Sequence, residues 1–122
     1  MENFYCLIVG SRSFTDYNLF CFYVDHILSN KKNIIIVSGG AKGTDSLAKS
    51  YAYEKGYQYV EFQADWSAGK SAGYERNVKM HKYISQFEDR GIIAFWDGKS
   101  NGTAHSFKLA EIYNNPIRKI LV

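Results

Sequence analysis

The 122 residues are 46% hydrophobic, 16% aromatic and 22% charged, with ten glycines and a single proline. That length suits one domain, residues 1–122, with its own core, and the apolar content excludes a disordered chain. Fifteen Lys and Arg against twelve Asp and Glu leave a formal charge of +3. The cations are scattered rather than striped, which favours an anionic ligand in a local pocket over a nucleic-acid-coating surface. Cys6 and Cys21 lie in apolar runs without zinc-ligand spacing, so free buried thiols are expected, and no metal or cofactor. Met1-Glu2-Asn3 lacks the basic start of a signal peptide, and no apolar run approaches the roughly 20 residues that span a bilayer. The expectation is a cytoplasmic protein with no membrane partner.

Five apolar runs have strand length: Phe4 to Val9, Asn33 to Val37, Tyr57 to Phe62, Gly91 to Trp96 and Ile117 to Val122. The first, second and fourth are apolar almost without alternation, the pattern of strands buried on both faces of a parallel sheet. Helical spacing fills the intervals. Phe20, Val24, Ile27 and Leu28 mark the first helix, and Leu47, Ala48, Tyr51 and Ala52 the second, which ends at a Lys55-Gly56 C-cap. A third helix is predicted over about 72–85. A fourth is predicted from Thr103 to about Asn114, with Phe107, Ala110 and Asn114 on one side and Leu109, Ile112 and Tyr113 on the other. Pro116 ends it. Strict alternation of strand and helix predicts an α/β, Rossmann-like, doubly wound domain: a mainly parallel five-stranded sheet with helices on both faces.

In open α/β sheets ligands bind beyond the carboxyl ends of the strands, and the small and polar residues gather there. Gly10-Ser11-Arg12 follows the first run, and Ser38-Gly39-Gly40-Ala41-Lys42-Gly43-Thr44-Asp45 the second. Ala64-Asp65-Trp66 and Gly69-Lys70-Ser71-Ala72-Gly73 follow the third, and Asp97-Gly98-Lys99-Ser100-Asn101-Gly102-Thr103 the fourth. Seven glycines fall in three of these loops. Singly, each loop reads as a tight turn; on one edge together they point to a ligand site. Glycine lets backbone N–H groups converge on one ligand, and helix N-termini favour phosphate. The loops opening the second and fourth helices are both candidates, with Arg12 and Arg76 placed to add charge. Lys42 precedes Gly43, so the loop is not a Walker A motif, and no G-x-G-x-x-G occurs.

Taken together and in order, these loops, with Ala72-Gly73 and Arg76-Asn77, resemble the SLOG superfamily, which unites DNA-processing protein A with the LOG proteins. The similarity is greatest to its small YspA-like branch. The resemblance implies a Rossmann-like fold, a homodimer or higher oligomer, and a nucleotide-derived small-molecule partner. Superfamily members in bacterial defence systems sense signals derived from NAD or other nucleotides. Two departures stand out. LOG phosphoribohydrolases carry P-G-G-x-G-T-x-x-E, whereas Gly102-Thr103 here is preceded by Asp97-Gly98-Lys99-Ser100 and Ser106 occupies the glutamate position. Tyr74 stands where the YspA-like pattern has proline.

Asp45, in the first turn of a helix, suits either plain helix capping or a ribose hydroxyl. Asp65 and Asp97 end strands and suit either turn capping or ribose. Trp66 and Tyr74 suit either packing or base stacking. His105 is a candidate acid or base. The expected function is binding, by sensing or sequestration, of a phosphorylated ribose compound such as an ADP-ribose derivative or cyclic nucleotide, in bacterial or phage defence or counter-defence. In this reading Gly39 to Gly43 and Gly102-Thr103 hold phosphate. The rivals are a LOG-like nucleotide hydrolase and a single-stranded-DNA binder, the latter disfavoured by the charge distribution.

Overall fold

The computed structural model describes residues 2–122. Its elements are β1 (Phe4–Gly10), α1 (Tyr17–Ile27), β2 (Ile34–Ser38), α2 (Thr44–Lys55), β3 (Gln58–Glu61), α3 (Ala72–Ser85), β4 (Arg90–Trp96), α4 (Asn101–Ile112) and β5 (Ile117–Leu121). A short 3-10 turn, Trp66–Ala68, precedes α3. All five strands are parallel, in the order β3-β2-β1-β4-β5. The chain winds outward from β1 to β3, crosses over, and winds outward again through β4 and β5.

Each central strand is apolar on both faces because both are covered. From β1, Cys6 and Ile8 join Ile34, Ile36, Ile93 and Phe95 beneath α1 and α2, where Phe20, Val24, Ala48 and Tyr51 close the layer. The alternate residues Leu7, Val9, Ile35, Val37, Ile92 and Ala94 pack against Met80 and Ile84 of α3 and Ala110 of α4. A charge in either layer would have to be buried without a partner, at a cost of several kcal/mol.

Helix boundaries follow local chemistry. Asp16 caps α1 by accepting from the Leu19 N–H at 3.1 Å, and Gly56 ends α2 in the left-handed region at φ 71°. On α4 the structure buries one residue from each of the two sides read from spacing, Ala110 and Leu109, together with two small polar residues. The buried stripe of α4 is Thr103, Ser106, Leu109 and Ala110, while Ile112 is 71% exposed. Cys6 is buried and Cys21 half-buried, both as free thiols, and the apolar surroundings push the Cys6 thiol up to about 12. Among the described residues, no helix is long and apolar enough to cross a membrane.

Candidate functional site

Between the carboxyl ends of β1 and β4, where the winding reverses direction, lies a crevice of about 510 Å³. Such a switch point leaves a gap because the loops leaving two adjacent strands diverge to opposite faces of the sheet. Of the residues singled out from sequence, Gly10, Arg12, Ala41, Asp45, Trp66, Arg76, Asn77, Asp97, Ser100, Gly102 and Thr103 border it. Ser11, Ser38, Gly39, Gly40, Gly43, Thr44, Asp65 and Gly98 lie beside or behind it.

The residues behind the crevice hold its walls together. Ser11, buried at the end of β1, accepts the Asp97 N–H on its hydroxyl at 2.9 Å and receives the Ser100 hydroxyl at 3.1 Å. Its carbonyl accepts from the Thr44 hydroxyl at 3.0 Å and the Thr44 N–H at 3.3 Å. One serine therefore ties three loops. Such closeness requires glycine: a Cβ on Gly43, at φ 71°, would collide with the Arg12 backbone, and one on Gly10 with Thr44 and the Phe95 carbonyl. Gly39 lies against the Arg76 guanidinium and Gly40 against the Glu61 carboxylate. Ser38 is fully buried and its hydroxyl has no partner among the described residues.

Both helix N-termini leave N–H groups without an acceptor among the described residues, Asp45 and Ser46 at α2 and Asn101 to Thr103 at α4, and they differ in the charge that stands beside them. At α2, the Asp45 carboxylate folds back to accept the Ala41 N–H at 3.1 Å, and the Thr44 N–H is bonded to Ser11. The α2 terminus thus carries an internal anion. Burial raises the Asp45 carboxyl above its ordinary range, against the opposing pull of the Ala41 N–H and the Arg76 charge. At α4, the N–H groups of Asn101, Gly102 and Thr103 have no acceptor among the described residues, and all three residues border the crevice. A Cβ at Gly102 would meet nothing within 4 Å. The first turn of α4 is therefore open to an anion from the crevice side.

Positive charge converges on the same space. Arg76 donates through Nη1 to the Gly39 carbonyl at 2.6 Å and through Nε to Asn77 Oδ1 at 3.1 Å. Asn77 in turn donates to the Gly102 carbonyl at 3.4 Å, so α3 positions both the arginine and the start of α4. Burial lowers the pKa of Arg76; the Asp45 carboxylate opposes this and the like charge of Arg12 adds to it. Arg12 lies over the Trp66 ring, 5.8 Å from its centroid, and Trp66 is 57% exposed. Asp97 borders the crevice, but its carboxylate accepts the N–H groups of Lys99 and Ser100, both at 2.8 Å. Those bonds hold it down to about 2. Asp65 caps the 3-10 turn through the N–H and hydroxyl of Ser67. Gly98, at φ 83°, makes the turn between Asp97 and α4.

Lys70, Tyr74, Ser13, Asn101, Met80 and Ser106 also border the crevice. Tyr74 packs edge-on against His105, with centroids 4.7 Å apart, and His105 itself stands outside the lining. Ser106 lies at the glutamate position of the LOG motif, which was its one signal in the sequence. Nothing in the local pattern separates Ser13 or Lys70 from ordinary loop residues. His81, one turn beyond Asn77, is fully buried, with neither ring nitrogen partnered among the described residues.

A model of the YspA, cpYpsA-related SLOG family matches residues 6–69, which span β1, the α2 loop and the Asp65-Trp66 turn. The chain belongs to this family. It is 30% identical over 118 residues to the Gene 61 protein of Mycobacterium phage D29, with 91% of each chain covered. That alignment reaches beyond the family match and takes in most of the chain. Membership fits the observed sheet and suggests nucleotide-related ligand binding.

Proposed function

We propose that this SLOG protein binds and holds a phosphorylated, ribose-containing small molecule, such as an ADP-ribose derivative or a cyclic nucleotide. The observation that carries this reading is the open first turn of α4 facing a crevice that Arg12 and Arg76 share. Three N–H groups and two guanidinium groups converge on one space, and a phosphate there relieves the repulsion between the arginines. Trp66 offers an exposed ring for a base. The α4 loop takes the phosphate alone, because the α2 loop already has the Asp45 carboxylate. Sequestration without turnover suits a site whose LOG-glutamate position is Ser106, and a phage relative accords with a counter-defence role.

The experiment incubates the protein with ADP-ribose isomers, cyclic nucleotides and mononucleotides, and follows melting and the chemical state of the recovered ligand. Saturation at 100 times the dissociation constant adds about 2.7 kcal/mol of stability. Stabilisation with intact ligand supports the proposal. Failure of every compound to stabilise the protein refutes it. Product in excess over protein replaces binding by hydrolysis, the reading favoured by one observation, the buried Asp45 carboxyl near Arg76. In that case Asp45→Asn abolishes product while the ligand still binds.

A further inference from the structure

We propose that Ser106 is a specificity-determining residue that hydrogen-bonds a ribose hydroxyl of the ligand, an assignment that rests on the proposed function. Ser106 is 1% exposed, borders the crevice, and its hydroxyl has no partner among the described residues. A buried hydroxyl without a partner is costly to keep, and such groups in native proteins are exceptions that call for a cause. The aspartates at the strand ends do not fill this role: Asp65 and Asp97 cap backbone N–H groups, and Asp45 accepts from Ala41.

Spacing along α4 supports the ribose assignment. Gly102 and Ser106 are four residues apart, so they share a helix face and are separated by about 6 Å along the axis. A phosphate on the N–H groups of Asn101 to Thr103 places a second hydrogen-bonding group of the same ligand about one helical turn deeper, at Ser106. In a ribose 5-phosphate unit the ring hydroxyls stand at such a distance, joined to the phosphate through the C3′, C4′ and C5′ carbons. Rotation about χ1 turns the Ser106 hydroxyl, which serves as either donor or acceptor. Met80 adds an apolar side chain to the lining of the same crevice.

The test uses base-free probes, so that the identity of the base does not enter. Ribose 5-phosphate and its 2-deoxy and 3-deoxy forms are titrated into wild type and Ser106→Ala, with melting of each apoprotein recorded. Wild type is expected to bind ribose 5-phosphate about threefold to tenfold more tightly than one deoxy form, the range of a single neutral hydrogen bond. Ser106→Ala is expected to bind all three with the weaker affinity, and to melt no lower than wild type because the hydroxyl has no partner to lose. Retention of the preference by Ser106→Ala overturns the assignment, as does the absence of any preference in wild type, and either result leaves phosphate binding standing. If neither these probes nor the nucleotide panel binds wild type, both proposals fall together. A lower melting temperature for Ser106→Ala with the preference intact assigns the hydroxyl a structural role and also overturns the inference.

Discussion

Replacing Arg76 by alanine separates two roles that the structure combines in one side chain. Its guanidinium is half-buried, braces the β2 loop through the Gly39 carbonyl at 2.6 Å, and shares the crevice with Arg12. Loss of the brace leaves the Gly39 carbonyl without its charged donor. At a partly solvated position this costs about 1 kcal/mol, a fall in Tm of about 4 °C. Loss of a charge-assisted phosphate contact costs about 1.5–3 kcal/mol of binding, which is about 10-fold to 150-fold in affinity. Calorimetric titration with the stabilising ligand, alongside urea unfolding, measures the two effects independently. Arg76→Lys keeps the charge without the planar fork and is expected to fall between wild type and Arg76→Ala in affinity. If Arg76→Ala is destabilised but binds within twofold of wild type, the arginine is a strut for the loop and the phosphate assignment to it is wrong.

Gly43→Ala combines a positive φ with collision against the Arg12 backbone and is expected to lose about 3–5 kcal/mol in urea unfolding. Gly56→Ala has the same φ but open space around it and is expected to lose about 1 kcal/mol; equal losses would contradict the packing argument. His81 is held neutral by burial, with the nearby His105 acting in the same direction, and its pKa falls from 6.5 to about 4. Because the folded value lies below the unfolded one, the stabilising contribution is present above pH 6.5 and is lost as pH falls towards 4. Between pH 7 and pH 5 about 2 kcal/mol should disappear, and His81→Leu should flatten that slope in unfolding curves. Binding of a base at Trp66 should change tryptophan fluorescence, and Trp66→Ala should weaken a nucleotide by about 1–3 kcal/mol more than it weakens ribose 5-phosphate.

Most of the architecture was legible because it depends on run length and punctuation. Continuous apolar runs such as Leu7 to Val9 and Ile34 to Val37 require cover on both faces, which only a parallel sheet with helices on either side supplies. Gly56 and Pro116 mark their breaks by backbone chemistry. The burial of α4 was not legible: apolar periodicity weights Ile112 and ignores Thr103 and Ser106. Thr103 and Ser106 are buried on a helix that packs against α3 and the sheet. Their burial belongs to a tertiary contact and has no local signature.

For the candidate site, sequence located the edge of the sheet but not the division of labour along it. Glycines in the loops after β1 and β2 read equally well as ligand cradles and as close contacts between loops. The collision of a Cβ at Gly43 or Gly10 with neighbouring backbone makes these two necessary for packing whether or not a ligand is present. Asp45 and Asp97 likewise could take a ligand hydroxyl or an internal N–H, and only coordinates reveal that Ala41, Lys99 and Ser100 already engage them. Polar groups without partners identify themselves only once everything around them is placed. The N–H groups that open α4 and the hydroxyl of Ser106 are such groups, and their residues border the crevice that Arg12 and Arg76 also line. Ser38 and His81 also carry buried polar atoms without partners among the described residues, but the α4 N–H groups and Ser106 are the ones that border the crevice, and an unmade hydrogen bond there is one a ligand can complete.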